Sequence, residues 1–508
     1  MSSFNSHASR REFLRRAAML SAGAATPLAL NLAAMGNATA QTVNDYKALV
    51  CIFLYGGNDA YNTVLATDSD SWGRYTTVRN QAPDSIALRA PGTAPLTSAL
   101  AGSPARLGGV LSINPVHAQG RSFALHPSLG PVRDLFGSSR IAIVPNVGPL
   151  LRPTSKIDYK NVAHAKPAKL FSHNDQQSTW QSLAPEGSTS GWGGRMGDLL
   201  ASSNTKATFT SISASGNAVW LSGQNVLQYQ VASTGAIRIG GVGKNTLFNS
   251  TVALDRMRNV MGSARSTNLL EQDHAAVLKR SFAAETDLSF ALPPANVAPY
   301  GTAGVSSSAA DPLLKYDDPI DGVKAFNPLA QQLQIVARMI GARSTLGAKR
   351  QVFFVSISGF DTHDAQNTAQ PTNMARLAQA MKYFDTTLNA LGVANNVTTF
   401  TSSDFGRSFT SNGDGTDHGW GGHHFVMGGA VKGGDLYGNF PAYGLPVAGN
   451  DFSSPNQINN GILLPETSVD QYGATLGRWF GLSDAQLLDI FPSLANFDVS
   501  KRNLGFMV

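Results

Sequence analysis

Four apolar runs constrain the fold more than anything else in the chain: "ALVCIFLY" at 48–55, "RIAIVPNVG" at 140–148, "QVFFVSISG" at 351–359 and "NVTTFTSS" at 396–403. All are rich in β-branched and aromatic residues, the pattern of strands buried on both faces. Between the last two, "NMARLAQAMKYFDTTLNALG" keeps Leu377, Met381, Phe384, Leu388 and Leu391 at helical spacing until Gly392 ends it. Before them, "NPLAQQLQIVARMIGARSTLG" sets Leu329, Leu333, Val336 and Ile340 on one helical face. Strand, helix, strand units of this kind predict an α/β fold, a three-layer sandwich with a mostly parallel central sheet. The C-terminal stretches "SVDQYGATLGRWFG" and "SDAQLLDIFPSL" read as two short helices, the second capped by Ser483.

A chain of 508 residues, 42% hydrophobic, has ample material for a large core. Residues 80–120 and 203–325 are dominated by Ser, Thr, Gly, Ala, Asn and Pro. The longer zone is expected to be a low-complexity insertion, loop-rich or β-rich. The start, "SRREFLRRAAMLSAGAATPLALNLAAMGNATA", reads as a twin-arginine export signal with Arg10 and Arg11 as the pair and cleavage after Ala40. The expected organisation is a signal peptide at 1–40 and a single domain at 41–508. The mature chain is expected to be periplasmic or secreted, with the twin-arginine export machinery as its partner and no transmembrane span.

The formal charge of +6 includes +3 from Arg10, Arg11, Arg15 and Arg16 against Glu12, leaving 6 − 3 = +3 on the mature chain. No basic stripe remains to bind nucleic acid. The single cysteine, Cys51, excludes an intrachain disulfide and lies inside an apolar strand, where an inert thiol is expected.

The acidic residues and histidines fall at predicted strand ends: Asp59 in "LYGGNDAYNT", Asp361 and His363 in "GFDTHD", Asp404 in "SSDFGR". In an open parallel sheet the C-terminal strand ends converge on one crevice. A return loop, "DHGWGGHH", brings His418 back, with Asp417, His423 and His424 in reserve. Carboxylates with imidazoles suit one or two divalent metal ions, with Zn, Mn, Fe, Mg and Ca not distinguished by the pattern. Alternatively, Asp-x-His forms a hydrogen-bonded turn and Asp59 caps a helix. Ser172 in "FSHNDQ" is the first candidate nucleophile and equally an N-cap, with Thr63 or Asn62 as the fallback. Arg407 offers either a bidentate fork for an anion or an ordinary surface charge. His126 and Arg195 read as supporting residues.

Several motifs together carry a resemblance. "FLYGGNDAYNTV", "FSHNDQQSTWQ", "GWGGRMGDLL", "SGFDTHDAQ", "SSDFGR", "DHGWGGHHFVMGGAVKGG" and "ETSVDQYGATLGRWFGLSDAQLLDIFP" resemble the exported bacterial family called domain of unknown function 1501, from Tyr46 onward. That family is itself similar to the alkaline phosphatase superfamily. The resemblance implies a metal-dependent hydrolase of phosphate or sulfate esters, acting on a small anionic substrate. It assigns Asp59, Asp361, His363, Asp404 and His418 as metal ligands, Ser172 as nucleophile and Arg407 as the group steadying the anion. Phe405 stands where the superfamily places a histidine, which implies that one of two metals is lost or bound differently. A non-catalytic envelope binding or assembly protein on the same fold is the alternative.

Overall fold

The computed structural model describes residues 45–238 and 246–508, so the twin-arginine stretch lies outside the described residues. All four apolar runs are strands of one eight-stranded sheet. In chain order its members are β1 (Lys47–Tyr55), β2 (Ile141–Gly148), β3 (Ser211–Ser213), β4 (Tyr229–Gln230), β5 (Arg350–Ser358), β6 (Val397–Ser403), β7 (Gly422–Gly428) and β8 (Thr467–Ser468). They lie side by side as β8-β2-β7-β6-β1-β5-β3-β4. β1 pairs in parallel with both β5 and β6, with Tyr55 level with Ser358 and Leu54 level with Ser403. Three strands therefore end together at the middle of the sheet, as a parallel arrangement requires.

One strand breaks the parallel rule. β7 runs antiparallel to both β6 and β2. Its sequence, "GHHFVMG", was expected to be partly return loop, yet all seven residues are buried strand. The chain leaves β6, forms a hairpin of Arg407–Ser411 and Thr416–His418, and re-enters the sheet from the same end. A strand entered that way can only run backwards.

Helices cover both faces. In chain order they include α1 (Ser69–Arg79), α2 (Gly130–Gly137), α3 (His173–Ser182), α4 (Trp192–Leu200), α5 (Thr251–Met261), α6 (Leu269–Ala291), α7 (Pro328–Gly341), α8 (Gln366–Ala390), α9 (Val469–Phe480) and α10 (Asp484–Ile490). Alternate residues of β1 point to opposite layers. Val50, Ile52 and Leu54 pack in one core with Leu333 and Val336 of α7 and Leu377 and Phe384 of α8. Leu49, Cys51 and Phe53 pack in the other with Trp180 of α3, Trp192 of α4 and Tyr472 of α9. Each such buried side chain contributes roughly 1.5–3 kcal/mol of transfer free energy. Burial pushes the Cys51 thiol far up, so it is inert as expected.

Two differences from expectation have physical causes. α8 starts at Gln366 rather than near Asn373, because its first turns bury Gln366 and Gln370 against polar loop groups and show no apolar stripe. The 203–325 segment carries short strands and turns but also α5 and α6, and in α6 only Ala275, Ala284, Glu285 and Leu288 are buried. Among the described residues no helix is long and apolar enough to cross a membrane.

Candidate metal centre

The centre is built where β1, β5 and β6 end. After Tyr55 the chain turns through Gly56 and Gly57, both at positive φ (114° and 86°). A Cβ on Gly56 would lie 2.3 Å from the Asp361 backbone nitrogen, and one on Gly57 2.3 Å from the Phe405 ring. Only glycine permits this turn and lets the three strand-end loops close on one another.

Onto that floor come three ligand-bearing side chains from three segments. His173 opens α3, Asp361 follows β5, and His418 ends the hairpin strand Thr416–His418. One ligand atom from each lies within 4.8 Å of the others. His173 Nε2 is 3.4 Å from Asp361 Oδ2, and His418 Nε2 is 3.5 Å from Asp361 Oδ1. Neither nitrogen makes a hydrogen bond, although both are buried. Buried orphan atoms of this kind call for an ion or a water. Metal–ligand bonds of about 2.0–2.1 Å set ligand atoms about 3.3–3.4 Å apart around a tetrahedral ion, close to the two histidine–carboxylate distances, which run to different oxygens of Asp361.

Each ligand is held from behind. His173 Nδ1 lies 2.7 Å from Asp404 Oδ2, an oxygen that also accepts from the Gly56 amide at 3.1 Å and from Gln177 Nε2 at 2.8 Å. His418 Nδ1 donates to the Phe171 carbonyl at 2.7 Å. Both acceptors put the proton on Nδ1 and leave the Nε2 lone pair facing the centre. Asp361 Oδ1 accepts from Arg407 Nη1 at 2.7 Å. Burial alone would raise the Asp361 pKa, but the Arg407 hydrogen bond and charge outweigh it and hold the carboxyl below its ordinary range. The hydrogen bond to Asp404 raises His173 against the opposing effect of burial. Burial lowers His418, which stays neutral near pH 7. The Phe405 ring packs 4.8 Å from the His173 ring and 4.7 Å from that of His418. His363 stands on the open side, with Nε2 3.2 Å from Asp361 Oδ1 and Nδ1 3.4 Å from Asp417 Oδ1.

Of the expected ligands, Asp361 and His418 meet, His363 borders them, and two others take different work. Asp59 is fully buried in a bidentate pair with Arg79, at 2.5 and 2.9 Å, and also accepts from Gln366 Nε2 at 2.6 Å. It caps the turn at Ala60–Asn62 as well, so its oxygens are occupied and it is no metal ligand here. Asp404 reaches the centre from behind, orienting His173 while its Oδ1 carries no hydrogen bond. His173 is the candidate ligand that sequence reasoning missed. The signal was available, because a histidine opening a helix in a family-like motif is as good a ligand as one after a strand.

The expected catalytic pair is also reassigned. Arg407 is fully buried and donates to Asp361, to the Gly56 carbonyl at 3.1 Å, to Thr416 Oγ1 at 3.3 Å and to the Thr416 carbonyl. It braces a ligand and is not a fork for substrate. Ser172 Oγ donates to Asp175 Oδ2 at 2.9 Å, and no histidine nitrogen hydrogen-bonds to it among the described residues. Its proton is shared with the Asp175 carboxylate, which burial would raise but the Ser172 and Glu186 hydrogen bonds hold below its ordinary range, a weak base for activating a serine. Thr63 and Asn62 are buried in hydrogen bonds to Asp59 and Ile86. His423 and His424 lie within β7, where burial drops both to about 3. His126, likewise about 3, accepts from the Ser128 amide, and Arg195 donates to the Ser182 carbonyl.

Fold and site together define an α/β protein with a two-histidine, one-carboxylate candidate metal centre at the C-terminal ends of a mostly parallel sheet. The chain belongs to the family described as Protein of unknown function (DUF1501), whose model matches residues 46–491. None of the curated proteins matches its sequence. Among solved structures it is similar to Ps i-CgsB in complex with k-i-k-neocarrahexaose, at 8% identity and TM-score 0.34, over 91% of this chain and 78% of that one. It is also similar to the PsFucS1 sulfatase from Pseudoalteromonas sp., at 10% identity and TM-score 0.31, over 92% and 73%. Alkaline phosphatase from the Antarctic bacterium TAB5 aligns at 8% identity and TM-score 0.24, over 76% and 92%. Likenesses this loose carry no argument about chemistry, which rests on the residues.

Proposed function

We propose that this protein is an exported hydrolase of phosphate or sulfate esters that works with one divalent metal ion. The observation that supports it is the convergence of two unpartnered imidazole nitrogens and an ionised carboxylate at the strand ends. Two nitrogens and one oxygen suit Zn, Mn or Fe better than Mg or Ca, which prefer oxygen throughout. When bound, such an ion supplies Lewis acidity toward an anionic ester and lowers the pKa of a water. The protein's own residues do the remaining work. Asp404 and the Phe171 carbonyl keep the Nε2 lone pairs of His173 and His418 facing inward. Arg407 keeps Asp361 ionised and fixed in place. Phe405 closes one wall against water, and the His363 side stays open for substrate. With Asp59 committed to Arg79, one ion is favoured over two. The twin-arginine stretch supports delivery of the folded chain to the periplasm or beyond.

A second reading is favoured by Ser172, whose hydroxyl meets the weakly basic Asp175 carboxylate and no histidine: a metal-binding envelope protein without turnover. Metal analysis of protein matured in its native host, with a screen of generic phosphate and sulfate esters, separates the two. The hydrolase reading expects stoichiometric metal and ester turnover, both lost in Asp361→Ala and His418→Ala. Metal without turnover on any ester selects the binding protein. Absence of both, unchanged by Asp361→Ala, sinks the metal centre itself.

A further inference from the structure

Positive charge is not spread evenly over this chain. Residues 150–170, within the connection from β2 to α3, hold Arg152, Lys156, Lys160, Lys166 and Lys169 against Asp158 alone, so 5 − 1 = +4. The whole chain after Ala40 carries +3, so everything outside this segment is slightly acidic. No two of the five cations are adjacent, and they make no run in the sequence.

The fold holds the segment as a fixed, outward-facing ledge. Its one-turn helix, Lys156–Lys160, opens on a Ser155–Asp158 capping box. Lys156 Nζ donates to the Phe452 carbonyl and to the Ser454 carbonyl at 3.2 Å, and pairs with Asp451 at 2.7 Å. Lys160 meets the other Asp451 oxygen at 2.8 Å, so one carboxylate serves two ammonium groups. Lys166 Nζ folds back on the Tyr159 and Asn161 carbonyls at 2.8 and 3.0 Å, where the helix ends. The Lys160 and Lys169 side chains are 62% and 69% exposed, the latter 3.5 Å from Asp175, and Arg152 is exposed as well. Counting Asp451 and Asp175, which touch the lysines from outside the segment, still leaves 5 − 3 = +2.

Two apolar side chains stand among these cations. Ile157 is 82% exposed and Val162 96%. Val162 follows Asn161, whose amide donates to the Ile157 carbonyl at 3.2 Å, so the two lie within about one helical turn of each other. Val447, 48% exposed, pairs with Asp451 across a short hairpin and extends the apolar surface beside the lysines. A lone exposed aliphatic side chain needs no explanation, but apolar groups ringed by cations match one kind of surface. An anionic bilayer offers both halves of the match: headgroup phosphates for the cations and an apolar layer just beneath for the protruding side chains. A hydrated acidic polymer would satisfy the lysines and leave Ile157 and Val162 in water.

We propose that this ledge seats the protein on an anionic lipid bilayer, with Ile157 and Val162 entering the interface and Arg152, Lys160, Lys166 and Lys169 meeting the phosphates. The proposal goes beyond the hydrolase reading and does not rest on it, since a metal-binding protein without turnover would dock in the same way.

The test uses the mature chain with vesicles of phosphatidylcholine, alone or mixed with phosphatidylglycerol, and reads binding by co-sedimentation. The mixed vesicles are expected to bind about tenfold more tightly than phosphatidylcholine alone, and less so as salt rises. Arg152→Gln/Lys160→Gln is expected to lower affinity for the mixed vesicles about tenfold. Ile157→Ser/Val162→Ser is expected to lower it by a similar factor, about tenfold, and to do so at high salt as well. All four residues are exposed or carry exposed side chains, so unchanged thermal unfolding is expected and separates lost docking from lost folding. Should a double variant unfold early, Lys160→Gln and Val162→Ser alone carry the same expectation at smaller size. No binding to the mixed vesicles, equal binding to both kinds, or binding untouched by either double variant overturns the proposal. Retention on dextran sulfate that depends on the cations, with vesicle binding indifferent to Ile157→Ser/Val162→Ser, assigns the ledge to an acidic polymer and overturns it too.

Discussion

At the scale of single residues, the roles of Asp59 and Asp404 separate by what surrounds them. Asp59 and Arg79 form a fully buried ion pair, and removing one partner strands the other's charge. Asp59→Ala and Arg79→Ala are each expected to cost about 3–5 kcal/mol in denaturant unfolding, with the double change costing less than their sum. A metal-ligand role for Asp59 would instead show as metal loss matched by no effect of Arg79→Ala. Asp404→Asn leaves the ligand set whole but removes the carboxylate acceptor behind His173, so metal affinity is expected to drop ten- to a hundredfold. His173 carries a raised pKa because Asp404 favours its protonated form. Protons therefore compete with metal for its nitrogen from above the ordinary histidine value downward, and metal affinity is expected to weaken as pH falls through neutrality. Metal titrations at pH 8, 7 and 6 check the sign; a flat profile would remove His173 from the ligand set.

At the scale of elements, the turn after β1 is the point of least tolerance. Gly56→Ala adds a side chain at φ 114° and 2.3 Å from the Asp361 amide, so it should displace the β5 loop. Destabilisation by more than 1 kcal/mol with lost metal is expected, read by calorimetry and metal analysis. The long strands and helices were legible in the sequence because uniform or periodic burial writes itself into residue type. α7 and α9 show it on the helical side, β1 and β5 on the sheet side. β7 was not, because its histidines are buried by tertiary packing of Trp180 and Phe440 rather than by an apolar pattern. α6 was missed for the opposite reason: Leu269, Leu270 and Phe290 are exposed, so no single face is apolar and only its Ala, Leu, Glu and Lys content favours a helix. The strand-end pattern pointed Asp361 and His418 to one crevice, and the fold sets their side chains next to each other. Asp59 and Arg407 could not be assigned from sequence, because the partners that consume them, Arg79 and Thr416, are brought together only by the fold.

At the scale of the whole molecule, stability carries a pH dependence from Asp470, the second residue of α9. Burial pushes its carboxyl up to about 7, against its own backbone hydrogen bonds and the Arg195 charge. The unfolded chain loses this proton near pH 3.9 and the folded chain near 7, so its contribution is complete below pH 3.9 and is lost as pH rises to about 7. Stability is expected to decline across that window by an amount on the order of a few kcal/mol. Asp470→Asn should flatten the decline between pH 5 and 7; an unchanged slope in urea unfolding would assign it elsewhere. The single carboxylate oxygen of Asp404 has a further consequence for how the molecule matures. It gathers the amide after β1, a helix glutamine and a ligand histidine, three groups that meet only once α3 has docked on the finished sheet. A chain still assembling has no three candidate ligands in one place, so under the proposed function metal loading would report that folding is complete.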